Sequence, residues 1–161
     1  MILVGFMGSG KTTIGKNIAE ELNKAFVDLD GFIVNEYQMS IPEIFNEYGE
    51  NGFREREFEA LNKVIKSDAI ISTGGGIVTY QKSYNLLMNT ESNIIYLDTP
   101  FEVAYNRIKN DRNRPLTNFN KSDLDDIYKK RRPLYEELTD YTINGCDSVN
   151  EIIHNILMHK K

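Results

Sequence analysis

The chain has 161 residues, 40% of them hydrophobic and 27% charged, with only 4 Pro and 11 Gly. That length predicts a single domain over residues 1–161, its composition excludes a collagen-like or low-complexity chain, and no apolar run approaches the roughly 18 residues of a membrane-spanning helix. The balance of 19 basic against 24 acidic residues gives a net charge of −5, which argues against a general nucleic-acid binder, whose surface is usually basic.

In chain order, short β-branched runs alternate with amphipathic stretches, a pattern that predicts an α/β fold with a parallel sheet. The apolar opening MILVGFM lacks the basic leader and cleavage site of a secretory signal, and Ile2–Val4 is expected to be a short first strand. Gly5-Phe-Met-Gly8-Ser9-Gly10-Lys11-Thr12 then fits G-x-x-x-x-G-K-[ST]. A helix over 12–23 follows, with Ile14, Ile18 and Leu22 on one face, so the motif stands in the strand–loop–helix context that gives it meaning. Glycines let successive N–H groups curl toward phosphate oxygens, and the helix N-terminus adds partial positive charge. Lys11 can reach the β- and γ-phosphates and the Thr12 hydroxyl can serve Mg²⁺, so a nucleoside triphosphate site is expected here.

The second strand candidate, Ala25–Leu29, carries Asp28 toward its end, with Asp30 just beyond. The two share a face for as long as the strand lasts, at the sheet edge where open α/β folds hold ligands. Asp30 is expected either to orient or deprotonate an attacking hydroxyl or merely to cap the next helix. Helices are predicted over 31–37, 41–48 and 53–67, the second opened by the capping box Ser40-Ile-Pro-Glu43. In the third, stepping back four residues from Phe58 places Arg54 on the apolar stripe, with Arg56 about 200° away. An inward guanidinium is costly unless an anion meets it. Either a ligand or a nearby carboxylate, Glu57 or Glu50, is expected to do so.

The third strand, Ala69–Ser72, runs into Gly74-Gly75-Gly76, either a flexible turn or a pocket floor on which substrate lies against the backbone. A helix over 79–89 and a strand Ile94–Leu97 follow. A helix over 100–110 is expected to start at a second box, Thr99-Pro-Phe-Glu102, and to carry Arg107. Residues 109–121, KNDRNRPLTNFNK, are polar and basic with no apolar period. So long a loop is more often functional than idle and reads either as a lid, with Arg112 and Arg114 available to phosphate charge, or as a solvated basic loop. The helix over 122–138, with Ser122 and Asp125 at box spacing, places Arg131 on the stripe of Leu124, Tyr128, Tyr135 and Leu138. Arg132 falls on the polar side with Lys129 and Glu136. Two inward arginines beside a phosphate site suggest a shared anionic ligand carrying a carboxylate or phosphate, plus a hydroxyl near Asp30. The chain closes with a strand Tyr141–Ile143 and a helix over 148–159, boxed at Ser148 and Glu151. His154 and His159 on that helix lie far from every motif. The single cysteine, Cys146, excludes an internal disulfide and fits a reducing cytoplasm.

Taken together, GFMGSGKTT (5–13), DLD (28–30), GFRERE (52–57), TGGG (73–76), RPL (114–116) and RRPLY (131–135), in this order, resemble the shikimate kinases over essentially the whole chain. The resemblance implies a three-layer sandwich: a five-stranded parallel sheet of the P-loop, nucleoside monophosphate kinase-like type. It adds a substrate-binding helical region at about 31–60 and a lid at about 109–121. It implies ATP and shikimate as substrates, the 3-hydroxyl as acceptor and Mg²⁺ as cofactor. Gly8, Ser9, Gly10, Lys11, Thr12 and Thr13 would hold phosphates, and Thr12 and Asp28 would serve the metal. Asp30 would contact the shikimate hydroxyls as base or positioner, and Arg54 and Arg131 would hold the carboxylate over Gly74, Gly75 and Gly76. Arg114 would reach the phosphates from the lid and Arg107 would lie on the adenine side, where the Asn144-Gly-Cys-Asp147 loop carries no basic or proline residue. A cytoplasmic monomer without nucleic-acid or membrane partners is expected. Two rivals are a kinase of another hydroxylated acid such as gluconate and a nucleotide-sensing module. The paired inward arginines with DLD and GGG disfavour the first, and intact Lys11, Thr12, Asp28 and Asp30 disfavour the second.

Overall fold

The structure, a computed structural model, describes residues 1–109 and 119–159. Five parallel strands form one sheet in the order β2-β3-β1-β4-β5. They are β1 Ile2–Val4, β2 Ala25–Asp28, β3 Ala69–Ser72, β4 Ile94–Asp98 and β5 Tyr141–Asn144. Each parallel connection needs a crossover, and the helices supply it: α1 Lys11–Glu21, α2 Leu29–Tyr37, α3 Ile41–Val64, α4 Gln81–Met88, α5 Phe101–Ile108, α6 Lys121–Leu138 and α7 Val149–Met158.

The alternation of strand side chains sorts the core into two layers. Leu3, Ile70, Ile95, Leu97 and Ile143 pack with α1 and α7 through Ile14, Ile18, Ile152 and Ile156. Ile2, Val4, Ile71, Ile94 and Tyr96 face the other way, onto residues of α2 to α6 such as Ile33, Leu61, Leu87, Ala104 and Tyr135. β1 and β3 are buried along their whole length, as a strand covered on both faces must be. All the strand C-termini therefore open on one edge, where the phosphate loop, Asp28 and the glycine run are found.

Four local expectations are corrected. The strand expected to reach Leu29 ends at Asp28, which becomes the N-cap of α2 by accepting from Gly31 N–H. Asp28 and Asp30 thus do not share a strand face, and capping falls to Asp28. The helices expected over 41–48 and 53–67 are one run, α3, bent at Gly49, whose φ of 68° and ψ of −176° are reached at little cost only by glycine. Thr99 does not cap α5. Its hydroxyl bonds the Ser9 carbonyl at 3.4 Å, and Pro100 takes the cap position without a side-chain bond. Asn120, not Ser122, caps α6 by accepting from Asp123 N–H. The boxes at Ser40 and Ser148 form as expected.

Candidate active site

The turn from β1 into α1 wraps the backbone into a cradle. Gly5, Gly8 and Gly10 all take positive φ, and a β-carbon on Gly8 would stand 2.5 Å from the Ala104 carbonyl oxygen of α5. Only glycine fits both the angle and the gap. Lys11 is 7% exposed, and its Nζ donates to the carbonyls of Gly5 and Phe6 at 2.8 Å each and to Ser9 Oγ at 3.2 Å. Its charge is thereby held at the mouth of the loop. Thr12 Oγ1 donates to Asp28 Oδ2 at 3.0 Å. Two hard oxygen donors from separate elements meet there, as a Mg²⁺ site completed by phosphate and water requires. Thr13 is exposed in the first turn of α1. Arg107 on α5 donates to the Gly8 carbonyl at 3.0 Å and to the Gly145 carbonyl at 3.4 Å, tying the phosphate loop to the loop after β5.

Beside the cradle, Gly74-Gly75-Gly76 leave β3 and run under a charged cluster. A β-carbon on Gly75 would lie 2.9 Å from the Met7 amide nitrogen, so this strip presses directly on the phosphate loop. A β-carbon on Gly74 would meet Glu57 Oε1 at 2.5 Å and Asp30 Oδ1 at 3.1 Å, and one on Gly76 would collide with the Arg54 guanidinium. Arg131 Nη1 and the Tyr135 hydroxyl both donate to the Gly75 carbonyl, the first at 3.3 Å. Asp30, Arg54, Arg131 and the three glycines, singled out from separate motifs, are thus brought together.

The inward arginines do not meet bare hydrocarbon. Arg54, 7% exposed, pairs with Glu57 at 2.6 Å and more loosely with Glu50 at 3.6 Å. Both carboxylates offered by sequence proximity are used. Glu57 is fully buried, which pushes its carboxyl above the ordinary carboxylate range, against the pull of Arg54 and with a smaller upward push from Asp30. Its Oε1 has no hydrogen-bond partner among the described residues, nor has Arg54 Nε. Burial lowers the pKa of Arg131, and the like charge of Arg54 adds to this. The cluster thus gathers two guanidiniums, Glu57, Asp30 and the more exposed Glu50 around the glycine strip, and leaves Arg54 Nε and Glu57 Oε1 with unused hydrogen-bonding capacity. Arg56, about 200° round the helix from Arg54, stacks on Tyr48 at 3.6 Å and on Tyr37 at 5.1 Å.

Two further residues of the cluster close the GFRERE and RRPLY stretches, but nothing in the sequence alone gives either a site role. Glu57 stands there as a neighbour of Arg54 but not as a wall of the pocket. Tyr135 reads as one more aromatic on an apolar stripe, and nothing in the pattern singles out its hydroxyl. Arg114, Arg112 and most of the expected lid fall within 110–118, outside the described residues. Among the described residues no helix is long and apolar enough to cross a membrane.

A glycine-rich phosphate loop after the first strand of a 2-3-1-4-5 parallel sheet, beside a pair of buried arginines, defines a P-loop phosphotransferase of the nucleoside monophosphate kinase-like type. The profile of one protein family, shikimate kinase, matches residues 7–160. The chain is 42% identical over 160 residues to the shikimate kinase of Staphylococcus aureus strain MSSA476, covering 98% of this chain and 91% of that protein. Among solved structures, the shikimate kinase of Acinetobacter baumannii in complex with shikimate superposes with a TM-score of 0.92 at 38% identity, covering 98% and 89% of the two chains. That of Aquifex aeolicus superposes with a TM-score of 0.85 at 33% identity, covering 98% and 93%. The chain belongs to the shikimate kinase family.

Proposed function

We propose that this chain transfers the γ-phosphate of ATP to the 3-hydroxyl of shikimate, giving shikimate 3-phosphate and ADP. The observation that carries the reading is the position of Gly75. Its backbone lies against Met7 of the phosphate loop while its carbonyl receives Arg131 of the charged pocket. Phosphate donor and anionic acceptor would share one wall.

In this reading the amides of Gly8 to Thr13 and the Lys11 ammonium hold the β- and γ-phosphates. Thr12 and Asp28 would hold Mg²⁺, which would supply charge neutralisation for phosphoryl transfer. Arg54 and Arg131 grip the acceptor carboxylate over Gly74, Gly75 and Gly76, each charge-assisted bond contributing roughly 1.5–3 kcal/mol. Glu57 keeps the Arg54 guanidinium turned toward the glycine strip. Asp30, in the first turn of α2, orients the acceptor hydroxyl and takes its proton as the new phosphate ester forms. Arg107 closes the adenine side, supplying the cation that the Asn144–Asp147 loop lacks. Arg114, outside the described residues, would supply charge to the transferring phosphate. Because phosphoryl transfer asks for little covalent work, positioning and charge account for most of the catalysis. The reading is of a monomer, and the exposed thiol of Cys146, the one cysteine of the sequence, suits the cytoplasm.

The test is ADP release from Mg-ATP in a coupled assay with shikimate, with gluconate or with neither. Strong stimulation by shikimate alone is expected. Equal stimulation by gluconate, or none by either from folded, ATP-binding protein, would overturn the acceptor assignment.

A further inference from the structure

Tyr135 lies one turn beyond Arg131 on the same face of α6 and is fully buried. Its ring is stacked on Tyr96 of β4, with centroids 5.2 Å apart and planes 30° apart. Tyr96 is itself fixed, donating to Asp98 Oδ1 at 2.9 Å, and Asp98 Oδ2 accepts from Arg132 Nη2 at 3.1 Å. Burial and the stack hold the ring of Tyr135, and its hydroxyl donates to the Gly75 carbonyl. That carbonyl also receives Arg131 Nη1.

A carbonyl oxygen has two lone pairs, and here two different donors occupy them. The geometry matters because of what surrounds it. Three consecutive glycines are the least conformationally restricted backbone a chain can have, yet Gly75 is pressed between the phosphate loop and the charged pocket. Arg131 alone would be a poor anchor, since each bond it spends on the floor binds it less to an acceptor. A buried hydroxyl on a locked ring carries no competing ligand duty.

We propose that Tyr135 is a positioning residue for the acceptor: its hydroxyl fixes the Gly75 peptide and thereby sets the seat of Arg131 at the carboxylate end of the pocket. The proposal rests on the shikimate reading above. It goes beyond that reading by assigning a role to a side chain that would never touch substrate.

The test compares Tyr135→Phe, which keeps the stack and loses the hydroxyl, with Tyr96→Phe, which loses a hydroxyl from the other ring of the same stack. Shikimate affinity is read by calorimetry, KM for shikimate and for Mg-ATP by the coupled assay, and Tm by thermal unfolding. For Tyr135→Phe, Kd and KM for shikimate are expected to rise about three- to tenfold, the worth of one hydrogen bond, with KM for Mg-ATP unchanged. Tyr96→Phe is expected to lower Tm and leave shikimate affinity at the wild-type value. Unchanged shikimate affinity in Tyr135→Phe overturns the proposal alone, as does an equal loss in both variants, which would mark a general loosening of the core. Wild-type protein that neither binds nor phosphorylates shikimate overturns the functional reading first and the proposal with it.

Discussion

The phosphate loop takes its groups from consecutive residues, 5–13, and works mostly with backbone. The proposed acceptor pocket takes Asp30, Arg54 with Glu57, Gly75, and Arg131 with Tyr135 from four separate stretches and works with charged side chains. The loop's geometry is enforced at the backbone, locally by positive φ at three glycines and from a distance by the close approach of α5. The pocket's geometry is enforced by partners: Glu57 on Arg54, and Tyr135 and Arg131 on one carbonyl. A site of the first kind loses function when its backbone is disturbed. One of the second kind has energetically coupled members, so single substitutions there report more than the contact removed.

The largest expected effect separates chemistry from nucleotide binding. Asp30→Asn keeps the shape but removes the proposed proton acceptor, so turnover should fall by about 10²–10⁴-fold with little change in ATP affinity, measured by steady-state kinetics and nucleotide titration. Near-normal turnover would remove Asp30 from the chemistry. A parallel fall in ATP affinity would mean that the two regions are not energetically separate.

Next comes the coupling inside the pocket. Arg54→Ala should weaken shikimate binding and also destabilise the fold by about 3–5 kcal/mol, because it leaves Glu57 buried without its counter-charge. Adding Glu57→Gln should restore much of the stability in denaturant unfolding while leaving acceptor affinity low. Restoration of both would assign Arg54 a purely structural task. Gly76→Ala should have a smaller effect of the same kind. A β-carbon there meets the tip of the Arg54 side chain, which can shift, so shikimate KM should rise with Tm and Mg-ATP KM little changed.

The same contrast explains which features are legible in the sequence. The cradle can be read residue by residue because its motif, strand and helix are contiguous, and the five strands stand out as short apolar runs. Arg54 and Arg131 are legible as inward because helical periodicity reports which way a side chain faces. It does not report what meets it. Hence Glu57 stands in the sequence only as one of two neighbouring carboxylates, Tyr135 as core, and Arg107 without its bridge from Gly8 to Gly145. Between 48 and 53 the sequence suggests a full break, with glycines at 49 and 52, whereas only Gly49 leaves helical angles and α3 continues through the bend. Thr99 follows the capping-box pattern, but its hydroxyl is claimed by the phosphate loop at Ser9, a tertiary demand no local window contains.

The smallest expected effect tests local against long-range enforcement within one helix. At the start of α3, Glu43 is held below its ordinary pKa by hydrogen bonds from Ser40. Near its middle, Glu57 is held above its ordinary pKa by burial. The linkage signs are opposite. The contribution of Glu43 is present above the ordinary carboxylate pKa and is lost as pH falls through its lowered value. That of Glu57 is complete below the ordinary pKa and is lost as pH rises through its raised value. In denaturant unfolding from pH 3 upward, the stability difference between wild type and Glu43→Gln should therefore grow as pH rises, and that between wild type and Glu57→Gln should shrink. If both differences grew, Arg54 would outweigh burial at Glu57, and the pocket would be held by an ion pair as locally self-sufficient as the cap.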